Sequence, residues 1–525
     1  YFCCDVHHYY IKKKEQDLLS FKKFTVIHPF ILAIFPIIFL YSQNVNTSPN
    51  EIILPVLLTL GSTVLIWILI NQALKNKIKS GLIVSIGLVS FFSYGHSFNL
   101  LNENFPSFPI FEKYLILLTI YAITFTIFSI YIIKKNKMFD NATKISNTIS
   151  IVIIILPLIT IGQFYILDNP SFIESEDKIG INQINELNKL PDIYYIIPDA
   201  YAGSKSLKTI LNYDNTSFEN FLKEKGFQIS DESYSNYEAS RFSIPSTLNM
   251  KYLDDIYSQT KSVNSMNKEL SNFAHDNEVL KKFKSKGYTT YVIESGIQSW
   301  DTPTTNMKNV DYRFCHTSNA LDTEFISILI ETTIINPVQA QLFAKDHRDK
   351  ILCGFAELSE MPNKKNSPKF VFVHLMAPHP PYVFGSNGEE LLPENLGLKD
   401  IEENFNEEFY LGQLEFVNLK MKESVEKLLD TNNPPIIIIQ SDHGMKESHS
   451  EDEYTKLFAS FNNFKAYYFP YEGKNIEFET TTPVNSFRVL FNLYFDDEYE
   501  LLEDRIFVID GKEYQFREIT KILRN

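Results

Sequence analysis

Five apolar runs crowd the first third of the chain, at about residues 25–42, 52–71, 81–97, 114–133 and 148–166. A helix needs about 20 apolar residues to cross the hydrocarbon core of a bilayer. Each run is near that length, the first and third being short. Buried core helices would be the ordinary alternative, but five such runs joined by short polar loops argue against it. Residues 1–166 are therefore expected to form a transmembrane domain of five spans.

The loops between the runs assign an orientation. Lys12, Lys13, Lys14, Lys22 and Lys23 precede the first run, and no Lys or Arg separates the first from the second. Lys75, Lys77 and Lys79 follow the second, only Lys113 follows the third, and Lys134, Lys135, Lys137 and Lys144 follow the fourth. Positive charge thus alternates from side to side. By the positive-inside rule the N-terminus is expected in the cytoplasm, and everything after residue 166 outside it, at the cell (inner) membrane. The first run lacks a small-residue cleavage site and is followed by further spans, so it is not read as a cleaved signal.

The chain has 525 residues, too many for one ordinary core. Its net charge of −15 is unevenly spread. Residues 1–165 carry 13 Lys and 7 acidic residues, and the remainder is strongly acidic. No basic domain is present, which argues against a nucleic-acid partner. Four cysteines are few. Cys3 and Cys4 fall on the reducing side, whereas Cys315 and Cys353 fall where a disulfide is permitted.

Residues 167–190 are polar and read as a linker. From 191 to 525 short apolar strands alternate with amphipathic helices: "DIYYIIP" (192–198), "NEVLKKFKSKGYTTYVIESG" (277–296), "KFVFVHL" (369–375), a long helix over 406–430, "PPIIIIQS" (434–441) and "FKAYYFP" (464–470). Strands that are apolar at every position are buried on both faces. The expected fold is α/β, a mostly parallel sheet with helices on both sides. The stretch from about 296 to 365 gives no clear pattern.

In such sheets ligands bind beyond the carboxyl ends of the strands. Asp199 lies past the first strand, His374 and His379 at and past the third, and Asp442 and His443 past the run of four isoleucines. Singly, an Asp there caps a helix and a His packs in a core. Together they suit a divalent cation, because a buried carboxylate is costly and a cation offsets that cost. Zinc, manganese, magnesium and calcium all remain open. "SYSNYEASRFSIPSTLNM" (233–250) supplies hydroxyls. Ser240, near a helix start, is the candidate nucleophile and a further metal contact, with Ser243 as the fallback. Other histidines receive plainer readings: His28 and His96 at span ends, His449 in a surface loop. Glu294 ends a strand and can line the pocket.

The motifs "IYYIIPDAYAG", "SNYEASRFSIPSTLNM", "FVFVHLMAPHPPYVF" and "PIIIIQSDHG", with "TPVNSFRVLFNLYF" after them, occur in an order that resembles the sulfatase-type branch of the alkaline phosphatase superfamily. Five spans followed by such a domain are similar to lipoteichoic acid synthases and phosphoethanolamine transferases. The resemblance implies metal ligands at Asp199, Ser240, Asp442 and His443. It implies a nucleophile at Ser240 and a substrate or leaving-group contact at His379. It also implies phosphoryl transfer or hydrolysis, with a phospholipid head group or envelope glycan as substrate and the bilayer as partner. Sulfatases carry a Cys/Ser-x-Pro-x-Arg motif. Ser240-Arg241-Phe242-Ser243-Ile244 lacks its Pro and second Arg. A sulfate ester hydrolase, a plain membrane phosphodiesterase and a non-catalytic envelope scaffold are the alternatives.

Overall fold

The structure is a computed structural model. It describes residues 25–44, 49–105, 110–135, 139–167, 190–230, 232–254, 263–295, 307–315, 324–391, 405–446, 450, 452–470, 481–510 and 515–524. The N-terminal lysines, nearly all of the 167–190 linker, and His449 lie outside the described residues. The contacts divide the chain into two compact units. The first holds the described residues up to 167 together with Leu329–Asn336, and the second holds the rest.

In the first unit, α1 (His28–Gln43), α2 (Pro49–Leu74), α3 (Lys77–Asn104), α4 (Ile110–Lys134) and α5 (Asp140–Leu167) follow the five apolar runs. By length and composition α2 to α5 each contain a stretch able to cross a membrane. At 16 residues α1 is shorter, about 24 Å of helix. Many leucines and isoleucines of α2, α4 and α5 face outward. In water that surface would be unfavourable, whereas in lipid it is solvated. Some polar groups inside the bundle are paired across it. Asn147 Oδ1 accepts from the N–H groups of Ile27 and His28 at 3.2 and 3.0 Å, which satisfies two donors at the start of α1. His28, expected at a span end, is fully buried, with Nδ1 2.5 Å from Ser85 Oγ. Leu329–Asn336 completes this unit. Gly95 N–H donates to Thr332 O at 3.0 Å, and a Cβ at Gly95 would collide with the Glu331 and Thr332 backbone. Only glycine permits so close an approach.

In the second unit, the main sheet is built from β1 (Ile193–Pro198), β2 (Gln228–Ile229), β3 (Thr289–Ser295), β4 (Tyr312–Phe314), β5 (Lys369–Leu375), β6 (Ile436–Gln440) and β7 (Lys465–Tyr468), and Phe507–Asp510 and Gln515–Glu518 pair separately. They form one sheet in the order β2-β7-β6-β1-β5-β3-β4. From β6 to β4 every pairing is parallel, while β7 and β2 run antiparallel at one edge. The sheet is thus mixed, with helices on both faces.

Alternation along the strands builds two cores. Tyr194, Ile196, Val371, Val373, Ile437 and Ile439 pack on one face with Leu414, Val417 and Met421 of the helix Glu407–Leu429. Ile193, Tyr195, Ile197, Phe370, Phe372, Ile436 and Ile438 pack on the other with Phe283, Phe487 and Phe491. Each fully buried isoleucine contributes about 1.5–3 kcal/mol. The β1/β5 register pairs Ile197 with His374 and Pro198 with Leu375. Strands β1, β5 and β6 therefore end together, and their following residues share one rim.

Candidate metal and phosphoryl site

Past β1 the chain turns sharply. Asp199 N–H donates to Leu375 O at 2.9 Å, and Ala200 follows with φ +58°, a left-handed conformation unusual for a residue with a Cβ. That turn aims Ala200 N–H at Asp442 Oδ1 (3.3 Å) and Tyr201 N–H at Ser441 Oγ (2.9 Å). Ser441 Oγ in turn donates to His443 O at 2.6 Å. Gly444 closes the motif. Its N–H donates to Ser460 O at 2.7 Å, and a Cβ there would strike Ala459 O. The β1 and β6 ends are thereby locked side by side.

Asp199, Asp442 and His443 are all buried, and their functional atoms converge. His443 Nε2 lies 3.4 Å from Asp199 Oδ1 and 3.6 Å from Asp442 Oδ2. Ser240 opens the helix Ser240–Asn249, which we call α6. Its Oγ lies 3.4 Å from Asp199 Oδ2 and 3.5 Å from His443 Nε2. Ala239, not Ser240, occupies the N-cap position, so the Ser240 hydroxyl is not spent on capping. Ser243 Oγ donates to Asp442 O at 2.6 Å and is committed to the backbone. His379 stands across the site, its ring 6.2 Å from that of His443. Its Nδ1–H donates to Pro380 O at 2.5 Å, which leaves Nε2 as the free ring atom.

His374, grouped from sequence with the strand-end residues that suit a cation, hydrogen-bonds Asp199 Oδ2 through Nε2 at 3.0 Å. Glu294, its cross-strand partner on β3, is buried and paired with Arg313 at 2.7 Å. Burial alone would push the Asp199 carboxyl up. The charges of His379, His374 and His443, with the His374 hydrogen bond, hold it below the usual carboxylate range. Burial opposes charge on His374, but the bond to Asp199 and its charge carry His374 above its ordinary value. Burial lowers His379.

Among the described residues, two groups have ligand atoms within 4.8 Å of one another: Asp199, His379 and His443, and Asp199, His374 and Asp442. The decisive feature is a pair of orphan oxygens. Among the described residues neither Asp199 Oδ1 nor Asp442 Oδ2 accepts a hydrogen bond, although both are fully enclosed. Two such oxygens beside an imidazole and a hydroxyl fit a divalent cation, whose charge offsets their desolvation. A cleft opens next to them, lined by His379, Pro380, Tyr382, Phe405, His443, Met445 and Lys446.

Residues 224–483 match the Sulfatase family model. No curated protein matches the chain. Among solved structures, the C-terminal periplasmic domain of EcEptC from Escherichia coli aligns at 11% identity and TM-score 0.41, over 63% of this chain and 92% of that one. The integral membrane lipooligosaccharide phosphoethanolamine transferase A from Neisseria meningitidis aligns at 13% and 0.35, over 85% and 88%. An alkaline phosphatase superfamily protein from Vibrio parahaemolyticus aligns at 11% and 0.38, over 61% and 73%. With the apolar helices of the first unit, the family match gives the assignment: residues 224–483 are a sulfatase-family domain in a membrane protein.

Proposed function

We propose that the chain is a metal-dependent phosphoryl transferase or hydrolase that works through a covalent Ser240 intermediate. The observation that carries this reading is the meeting of the two orphan carboxylate oxygens with the Ser240 hydroxyl. Asp199, Asp442, His443 and Ser240 would hold the cation, which when bound supplies Lewis-acid charge next to the reacting oxygens. The residues do the rest. Ser240 Oγ bonds to phosphorus as the bond from phosphorus to the leaving alcohol breaks. The hydroxyl proton passes to Asp199 Oδ2, toward which it already points. His379, protonated at Nε2, gives its proton to the leaving oxygen. In the return step neutral His379 takes a proton from the incoming alcohol or water, and Ser240 recovers its own as the Oγ–P bond breaks. The backbone N–H groups at the start of α6 favour the negative charge.

The reading extends to placement and substrate. The alternating lysines support a cytoplasmic N-terminus and a sulfatase-family domain outside. The bond between Cys315 and Cys353 supports the same side, because disulfides persist in oxidising compartments. A domain tied to apolar helices has a phospholipid head group or an envelope glycan within reach. The units are proposed as a transmembrane domain over 1–166, a linker over 167–190 and a catalytic domain over 191–525.

The test is metal-dependent turnover of bis(4-nitrophenyl) phosphate by the full chain in detergent. Ser240→Ala and Asp442→Asn are each expected to lose at least a thousandfold. Full activity in Ser240→Ala overturns the nucleophile. The family match keeps one rival in view: turnover of 4-nitrophenyl sulfate in preference to the phosphodiester would make the chain a sulfate ester hydrolase.

A further inference from the structure

Each buried carboxylate of the site has one oxygen held and one orphaned. On Asp442, Oδ1 accepts from Ala200 N–H at 3.3 Å, and Oδ2 accepts nothing among the described residues. On Asp199, Oδ2 accepts from His374 at 3.0 Å, and Oδ1 accepts nothing among the described residues. The two orphans lie 3.4 and 3.6 Å from His443 Nε2. A carboxylate turns about its last bond, so its oxygens are interchangeable until an outside partner tells them apart. For Asp442 that partner is the backbone. For Asp199 it is an imidazole, since the other contact of Oδ2, from Ser240 Oγ, is longer at 3.4 Å.

The fold makes His374 a firm support. It sits on β5 between β1 and β3, in register with Ile197 and Glu294. Strand alternation puts it on the face of Phe370 and Phe372, which share a core with Ile244 and Leu248 of α6. A third apolar residue would continue that stripe. The imidazole stands there instead, 3% exposed. Such burial is unfavourable unless the ring is hydrogen-bonded, and this ring bonds one chosen oxygen of the site. Local rules of this kind are broken mainly where function requires it. The ring lies close enough to Asp199 and Asp442 to share an ion with them. The 3.0 Å bond argues for a different role, because Nε2, carrying a proton for Oδ2, has no lone pair left for a cation.

We propose that His374 is a positioning residue: by holding Asp199 Oδ2 it presents Oδ1 to the cation and keeps Oδ2 beside the Ser240 hydroxyl. This deepens the reading given above and rests on its assignment of Asp199 and Asp442 to a cation. Wild type, His374→Gln and His374→Leu are compared as full chains in detergent, stripped with a chelator and titrated by calorimetry with Mn²⁺ and, separately, with Zn²⁺. The readouts are Kd, ions bound per chain, and the unfolding midpoint of the stripped chain. Turnover of bis(4-nitrophenyl) phosphate at saturating metal is followed in parallel.

His374→Leu is expected to weaken metal binding by about 10–100-fold, the usual effect of losing a partner behind a ligand. Its ion count should not change, and its stripped form should unfold at no lower a temperature than wild type. His374→Gln, which keeps an N–H donor, retains most of the affinity. A leucine variant that binds as tightly as wild type overturns the proposal, as does a wild type that binds neither ion or a glutamine variant as weak as leucine. Loss of one ion per chain in His374→Leu also overturns it, since the residue is then a ligand. A lower midpoint of the stripped leucine variant overturns it as well, since the residue is then structural. If His374→Leu does not fold, His374→Met replaces it under the same criteria. Turnover judges the other reading separately: a wild type that binds the metal but leaves the diester intact refutes phosphoryl transfer, and Kd alone then decides the role of His374.

Discussion

Two stretches of this protein are nearly the same in composition and opposite in fate. "IVIIILPLI" (151–159) lies in α5, and "PIIIIQ" (435–440) is β6 with its preceding proline. In α5, Leu156 is 66% exposed and Ile159 52%, whereas Ile436 to Ile439 are at most 1% exposed. Isoleucine alone does not decide between lipid and core. Length and punctuation do. The first stretch sits inside a helix of 28 residues, long enough to cross a bilayer. The second is built on β6, which is five residues long and stops at Gln440, just before Ser441, Asp442 and His443. A strand that short, buried on both faces, has only its end free to act.

The sharpest way to break this comparison is to place one carboxylate in each stretch. Ile437→Asp buries an unpaired charge at the centre of the sheet and is expected to cost several kcal/mol. The second unit should lose its resistance to protease while the chain remains in the membrane. Leu156→Asp should do the reverse. It lowers membrane integration by about 2.5–3.5 kcal/mol and leaves the sheet protease-resistant in the chains that do integrate. Equal loss of resistance in both variants would mean that the two environments are not distinct.

Metal removal gives a smaller effect confined to the second unit. Chelation should lower its unfolding midpoint by the equivalent of about 2.7 kcal/mol, if the ion was present at a hundredfold excess over its Kd. The helical circular dichroism of the first unit should not change. An unchanged midpoint would show that Asp199 and Asp442 hold no ion.

The smallest effect concerns Lys465 on β7. Burial lowers its pKa to about 7, against the pull of Asp504. The folded value lies below the unfolded one, so between pH 7 and about 10 the unfolded chain binds more protons. Stability attributable to this group therefore rises with pH across that window and is lost as pH falls through 7. The slope is at most about 1.4 kcal/mol per pH unit. Lys465→Met should remove it, as measured by the difference in denaturation midpoint between variant and wild type at several pH values.

Much of the fold was legible because apolar periodicity is local. Strands β1, β3, β5, β6 and β7 and the helix Glu407–Leu429 announce themselves within a few residues. The antiparallel course of β7 was not legible, since direction in a sheet depends on pairing between distant segments. Asp199, Asp442 and His443 stood out because they follow apolar strands. The hydrogen bond from His374 to Asp199 and the ion pair behind it, Glu294 with Arg313, required the register between neighbouring strands.

Gly95 has a consequence for the order of synthesis. The segment whose backbone it meets, Leu329–Asn336, emerges from the ribosome only after residues 168–328 have been made. At about 5–20 residues per second, that delay is on the order of ten to thirty seconds. Throughout it the five helices exist without their last piece. A nascent bundle with an open seam is thus an obligatory stage in the biogenesis of this protein, and Thr332 closes it from the far side of the chain.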